Sequence, residues 1–343
     1  MLHDTFESLV AGALVVAGLA VLHSLVMLYL RSRRVDIAGK VVFVTGCDHG
    51  FGNLVARRLD ELEVTVLAGC LTEQGASALR EQSSSRLKTY ILDVTDEASV
   101  AKVAQQLKSQ NVKLWGLINN AGIMDGGPIE TTSLAAYKRV SDVNVFGMIS
   151  VTKALLPFIR ASKGRIVNVC SVAGRVSAMQ LSAYCVSKYA AEAFSDVLRQ
   201  EMAVFGVKVS IIEPGFFRTP LIDQARVNAA LERNWESAND EVKEAYGSEF
   251  VLAMRGVSQR IFGAFASNNP SKVADGMVHA ISAEYPRSRY IIGWDANLLW
   301  IPSTFLPSVV VDTFFNIIVK LSPLPLPRAV LLEKNAARKA KRI

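Results

Sequence analysis

The sequence predicts an α/β protein: a doubly wound parallel sheet, preceded by an N-terminal transmembrane helix and followed by a C-terminal amphipathic extension. Three observations predict it. Short Val- and Ile-rich runs alternate with helix-length segments through the body of the chain. A glycine-rich turn follows the first of those runs, and a long uncharged stretch precedes them all.

The uncharged stretch runs from Leu9 to Leu30, 22 residues without Asp, Glu, Lys or Arg. About 20 apolar residues cross a bilayer core as a helix. A cleaved signal peptide has a shorter apolar core, roughly 7–15 residues, with basic residues before it. Here Asp4 and Glu7 come before, and Arg31, Arg33 and Arg34 come after. The stretch therefore reads as a single uncleaved anchor. Basic flanks stay in the cytosol, which predicts a cytosolic body.

Val41–Thr45, Val64–Ala68, Leu87–Leu92, Leu114–Ile118, Arg165–Cys170 and Val207–Ile212 read as strands. Helical segments are expected near 50–62, 73–82, 96–109, 132–160 and 182–205. Strands alternating with helices imply crossovers and a parallel sheet. Continuous apolar runs, without polar alternation, fit strands covered on both faces. Helices near 223–245 and 248–265 interrupt the pattern where a substrate-covering insertion would go.

At the C-terminal end, Ser308–Leu321 is apolar except for Asp312, Thr313, Asn316 and Lys320. Asp312, Asn316 and Lys320 recur every four residues and share one helix face. An interfacial amphipathic helix and a lid over an apolar site both fit. Pro323, Pro325 and Pro327 would end any helix. The final Lys339-Ala340-Lys341-Arg342-Ile343 resembles a dilysine retrieval signal of the endoplasmic reticulum; a solvated basic tail fits equally.

Composition narrows the function classes. Hydrophobic residues make up 50% and charged residues 20% of the 343, against a usual charged share of ~25%. Of the net charge of +7, residues 328–343 carry +5 and residues 1–40 carry +1. The near-neutral body argues against nucleic-acid binding, which needs a basic face. The four cysteines form no C-x-x-C pair and no His stands at metal-ligand spacing, so reduced cysteines and no metal site are expected.

Ligands bind beyond the carboxyl ends of such strands. There the chain carries Thr45-Gly46-Cys47-Asp48-His49-Gly50-Phe51-Gly52. Glycines let a backbone approach a pyrophosphate, and the helix that follows offers its N-terminus to the anion. Asp93 and Asn119-Asn120-Ala121-Gly122 end the next strands along the same rim. The second strand ends without the acidic residue of NAD sites or the basic residue of NADP sites. Asp48 would repel the extra phosphate of NADP, so NAD is favoured.

Tyr184-Cys185-Val186-Ser187-Lys188 puts a phenol and an ammonium one helical turn apart. Hydride transfer from an alcohol carbon requires the hydroxyl proton to leave as well. A phenol with a pKa of ~10 is a weak base at neutral pH. A nearby ammonium would lower that value. Ser171, thirteen residues upstream of Tyr184, could hold the substrate oxygen. Asn144, in the long helix before that strand, could hold a water on a proton path or simply bond its own helix.

This ordered set resembles the short-chain dehydrogenase/reductase superfamily over roughly residues 39–300. It is most similar to the membrane-bound branch of retinol dehydrogenases, hydroxysteroid dehydrogenases and 3-hydroxybutyrate dehydrogenase. Leu67-Ala68-Gly69-Cys70-Leu71, Glu213 to Pro220 and Gly293-Trp294-Asp295-Ala296 carry that finer likeness. The resemblance implies a Rossmann-like catalytic domain over 39–300, between an anchor (1–38) and a C-terminal segment (301–343). It implies Asn144, Ser171, Tyr184 and Lys188 as the catalytic tetrad, with Lys188 also bonding the cofactor ribose. Gly46, Gly50 and Gly52, with Phe51 beside them, would hold the pyrophosphate, and Asp93 the adenine. Asn119, Ala121 and Gly122 would pack along the adenine ribose; Pro214, Gly215 and Thr219 would sit near the nicotinamide. His49 departs from the small serine usual in the branch, which puts the cofactor preference in doubt. Relatives are often dimers.

The expected function is NAD-dependent oxidation or reduction of a lipophilic alcohol or carbonyl, such as a retinoid or hydroxysteroid, at the endoplasmic reticulum membrane. A dehydrogenase of a small hydroxy acid is the alternative, with Arg218 and Arg226 as candidate carboxylate partners. A catalytically silent lipid-surface binding protein is the other.

Overall fold

The computed structural model describes residues 2–321 and 325–340. Helix α1 (Leu2–Ser32) stands outside the body, and Leu14–Ser32 is apolar enough and long enough to cross a bilayer. The body then alternates: β1 (Val41–Thr45), α2 (Gly50–Glu61), β2 (Thr65–Cys70), α3 (Glu73–Glu81), β3 (Lys88–Ile91), α4 (Glu97–Ser109) and β4 (Leu114–Asn119). Next come α5 (Leu134–Ser141), α6 (Met148–Ala161), β5 (Arg165–Val169), α7 (Ser182–Ala203) and β6 (Lys208–Pro214). The insertion is α8 (Gln224–Ser237), α9 (Asp240–Tyr246) and α10 (Ser248–Phe265). The chain closes with α11 (Ser271–Ser282), β7 (Arg289–Ile292), the single turn α12 (Ile301–Ser303), α13 (Ser308–Leu321) and α14 (Arg328–Ala340).

All seven strands are parallel, in the order β3-β2-β1-β4-β5-β6-β7. The order reverses between β1 and β4, which opens a crevice at their carboxyl ends. One face of the sheet buries Val42, Val44 and Ile118 beneath α2 and α11. The other buries Phe43, Leu117 and Ile166 beneath α4, α6 and α7. Burial on both faces explains the apolar runs of β1, β2 and β4. Side chains fix the helix starts: Thr72, Asp96, Ser133, Asp223 and Asn239 each accept from a backbone N–H of the first turn.

Four features differ from the sequence expectation. The helix expected at 132–160 contains a π turn at Asp142–Gly147. The helix expected near 223–245 is two helices, because Asn239 caps a new start. Strand β7 and helix α11 extend the sheet by one strand. The basic tail is helical over Arg328–Ala340, starting just after Pro327. Most of the retrieval-like signal, residues 341–343, lies outside the described residues, as does the Lys320 side chain.

Candidate active site

The site begins at the glycine turn after β1. Gly46 has φ +70°, and a Cβ there would stand 2.8 Å from the Cα of Ala121, so the turn requires a residue without a side chain. At Gly52 a Cβ would stand 2.2 Å from the Gly46 carbonyl oxygen. Gly52 thus permits α2 to pack on the turn and does not itself line the cavity. His49 flanks the start of α2 without a side-chain cap, which leaves first-turn N–H groups for an anion.

A cavity of about 900 Å³ runs from this turn along the strand ends. Gly46, Gly50, Phe51, Asp93, Ala121, Gly122 and Thr219 line it. Ser171, Tyr184, Lys188, Pro214 and Gly215 line an adjoining pocket of about 100 Å³. The two share Gly122, Met124, Phe216, Thr219 and Trp300 as walls, so they lie side by side. The glycine turn and strand ends have the shape and free backbone donors for a dinucleotide. Away from them the walls turn apolar: Val257, Ile261, Phe262 and Phe265 of α10, with Phe314 and Phe315 of α13. Phe314 and Phe315 thus bring one face of α13 to the chamber, while Val309 and Val310 are exposed.

Asn119 is a correction. Its Nδ2 donates to Thr152 Oγ1 at 2.8 Å and to Asn168 Oδ1 at 2.9 Å, inside the core. Neighbouring residues of a strand point to opposite faces, so the wall falls to Asn120. The Asn120 Nδ2 donates to the Thr45 and Gly46 carbonyls at 2.9 and 3.0 Å and pins the glycine turn.

Asp48 leaves the glycine turn to meet the end of β2. It accepts from the Leu71 N–H at 2.8 Å, the Thr72 N–H at 2.9 Å and the Thr72 hydroxyl at 2.7 Å. Partial burial works against the charged form, but these bonds outweigh it and hold the carboxyl below its ordinary range. An anionic group thus lines the cavity beside β2, although β2 itself ends in neutral residues.

Tyr184 and Lys188 are both buried on α7. Burial pushes the phenol well above its ordinary value, and the Ser171 hydroxyl pulls it down. Burial also lowers the Lys188 ammonium, against the nearby Cys170 and Glu192. Burial outweighs the Ser171 hydroxyl, so the phenol sits high. Ser171 itself accepts from the Ala173 N–H at 3.1 Å.

Asn144 lies in the π turn and does not bond its own helix. Its Oδ1 accepts from the Ile123 N–H at 2.8 Å, and its Nδ2 donates to the Ile123 carbonyl at 2.9 Å and to Ser187 Oγ at 3.0 Å. Ser187 in turn donates to the Tyr184 carbonyl at 2.7 Å. The π turn rotates the amide out of register with its helix and onto the strand-end segment.

Two elements escaped sequence reasoning. Asp295 is fully buried, and its Oδ2 accepts from the Phe216 N–H at 2.9 Å and the Trp300 indole at 3.0 Å. It thereby fixes the segment after Gly215. Behind α7, Arg289 donates to Glu192, to Glu213 at 2.7 Å and to Asp196 at 2.5 Å. Only the string Gly293-Trp294-Asp295-Ala296 signalled the first, and no spacing signalled the second. Among the described residues, no cluster of His, Cys, Asp and Glu could hold a metal ion, and all four cysteines are free and buried.

Known proteins resemble this chain in sequence and in fold. Residues 40–230 match the family model described as short chain dehydrogenase. Retinol dehydrogenase 16 of Rattus norvegicus is 45% identical over 294 residues, covering 83% of this chain and 91% of its own. The 17-beta-hydroxysteroid dehydrogenase type 6 of Homo sapiens is 44% identical, covering 83% of this chain and 90% of its own. A short-chain dehydrogenase/reductase from Burkholderia phymatum, solved in complex with NAD, superposes with a TM-score of 0.65 at 25% identity, over 81% of this chain and 96% of its own.

Proposed function

Because the chain belongs to the short-chain dehydrogenase family, we propose that it is a membrane-anchored, NAD-dependent oxidoreductase of lipophilic alcohols, with retinoids and hydroxysteroids as its substrates. The observation that carries the reading is one buried phenol, Tyr184, against Ser171 and one turn from Lys188, opening on an apolar chamber. The names of the retinol and hydroxysteroid relatives support the substrate class.

Bound NAD would supply the hydride acceptor for oxidation, and its reduced form the donor for reduction. The chain supplies the rest. Ser171 holds the substrate oxygen beside the phenol. Tyr184 takes the alcohol proton in oxidation and returns it in reduction. Lys188 would bond the cofactor ribose and places positive charge near the phenolate as it forms. Asn144 keeps Ile123 and, through Ser187, the start of α7 in position. Gly46, Gly50, Phe51 and the free start of α2 would receive the pyrophosphate, Asp93 the adenine, and Ala121 and Gly122 the ribose. Pro214, Gly215 and Thr219 would lie near the nicotinamide. Asp48, carried to the end of β2, favours ribose hydroxyls over a phosphate, which supports NAD.

The domain reading is an anchor over 1–38, a catalytic domain over 39–300 and a C-terminal segment over 301–343. Arg31, Arg33 and Arg34 support a cytosolic body, and the dilysine-like sequence from Lys339 to Ile343 supports the endoplasmic reticulum membrane. The exposed Val186, Tyr189 and Val197 of α7 support a homodimer. Turnover in microsomes of retinol, a 3-alpha-hydroxysteroid, estradiol and 3-hydroxybutyrate tests the substrate class. Activity on a retinoid or steroid supports the reading; activity on hydroxybutyrate alone moves the chamber to small acids. Protease protection of intact microsomes tests topology, because a protected body contradicts the cytosolic assignment.

A further inference from the structure

The anchor and the exposed apolar surface of the body meet opposite ends of one edge strand. β7 is the last strand of the sheet. Just before it, the turn at 282–284 grips the foot of α1. The Val35 N–H donates to the Ser282 carbonyl at 2.7 Å, and the Glu284 N–H to the Arg33 carbonyl at 3.0 Å. Arg33 and Glu284 pair at 2.8 Å, and His279 Nε2 meets the Arg31 carbonyl at 3.1 Å. The foot of α1 is thus fixed to the body without slack.

Just after β7 the chain exposes Trp294, Leu298, Phe305, Leu306, Val309 and Val310. Leu298 is 76% and Phe305 79% exposed. Trp294 stacks on Phe265 at 5.6 Å, and Phe265 lines the apolar chamber. Trp294 thus joins this collar to the wall of the chamber's apolar end. The four residues of β7 span only about 13 Å at ~3.3 Å per residue, so the anchor foot and Trp294, where the collar begins, stand at the two ends of the same short edge.

Resting on the reading of α1 as a membrane anchor, we propose that the β7 edge of the sheet lies on the bilayer, with the collar of residues 294–310 in the acyl layer and the chamber open to lipid. Exposed apolar patches of this kind mark interaction surfaces. The tethered anchor makes the bilayer their nearest apolar partner. Charge at the anchor foot agrees: Arg31, Arg34 and Arg287 all stand close enough to His279 to add to the effect of burial in lowering its pKa. Cations at the foot of a membrane helix meet headgroup phosphates. A lipophilic alcohol would then pass from membrane to Tyr184 without crossing water.

The test uses the full chain in vesicles of phosphatidylcholine with some phosphatidylserine. The four native cysteines are buried, so Leu298→Cys or Phe305→Cys supplies one accessible thiol for an environment-sensitive fluorophore. Glu81→Cys, exposed on α3 beside the opposite sheet edge, is the control. A phospholipid with a nitroxide high on its acyl chain is the quencher. Labels at 298 and 305 are expected to shift to the blue and to be quenched several-fold more than the label at 81. Quenching equal to that at position 81, with the chain still in vesicles after a carbonate wash, overturns the proposal and leaves the anchor standing. A blue shift without lipid quenching puts a second copy on the collar and also overturns it. Release by carbonate overturns the anchor reading itself.

Discussion

Lys188 stands with its ammonium 5.6 Å from the ring centroid of Tyr184, while donating to the Val169 carbonyl at 2.9 Å. The lysine is thus held by β5 and kept beside the phenol without bonding its hydroxyl. The phenol sits high because it is buried, with Ser171 opposing. Proton transfer therefore depends on three groups held together by α7 and the end of β5.

Glu192 is one turn beyond Lys188 and shares Arg289 with Glu213. Burial and Glu213 push its carboxyl up to about 7, against Arg289. A carboxyl raised above its unfolded value of ~4.3 binds its proton more tightly in the folded chain. Its stabilising contribution is full below that value and is lost as pH rises through about 7. The melting temperature of the parent relative to Glu192→Gln should therefore fall by a few degrees between acid and mildly alkaline buffer, on the order of 2–3 kcal/mol. A difference independent of pH would contradict this.

Asp48 decides cofactor choice in this account. Asp48→Ser removes the charge beside β2 and keeps a hydroxyl near Thr72. The ratio of kcat/KM for NAD to that for NADP should fall about tenfold, roughly 1.4 kcal/mol. An unchanged ratio would assign the preference elsewhere.

Asn119 and Asn144 are both buried amides, with different consequences. Asn119→Ala should lower the melting temperature, since buried partners left unsatisfied cost about 1–3 kcal/mol, and should leave the KM for NAD within about twofold of the parent. Asn144→Ala should lower kcat by about a hundredfold or more, because Ile123 and the start of α7 lose their common partner. Steady-state kinetics beside thermal melts would separate the two.

Phe314 and Phe315 line the apolar chamber. The double Phe→Ala change should raise the KM for a lipophilic alcohol at least about tenfold, from ~2 kcal/mol or more of lost burial, with little effect on the KM for NAD. Equal losses for both would argue against α13 as a substrate lid.

Much of this was legible in the sequence because the signals are local. Strands covered on both faces announce themselves as apolar runs, and Val41–Thr45 appears as read. β7 does not, because its four residues include Arg289, whose charge is absorbed by Glu192, Glu213 and Asp196 from other elements. Tyr184, Lys188 and the glycine turn lie in short motifs. Asn119 and Asn120 are chemically identical, and only strand orientation tells which one faces the cavity. The reach of Asp48 to residues 71 and 72, and of Asp295 to residue 216, depends on folding distant segments together.

The central claim is that Tyr184 moves the alcohol proton in hydride transfer. The most direct measurement compares Tyr184→Phe with the parent in membranes, recording NADH formation from a retinoid or hydroxysteroid and, separately, NADH binding by fluorescence. The account expects turnover to fall by about a hundredfold or more with the binding constant unchanged. Turnover near the parent level, with binding intact, would contradict it.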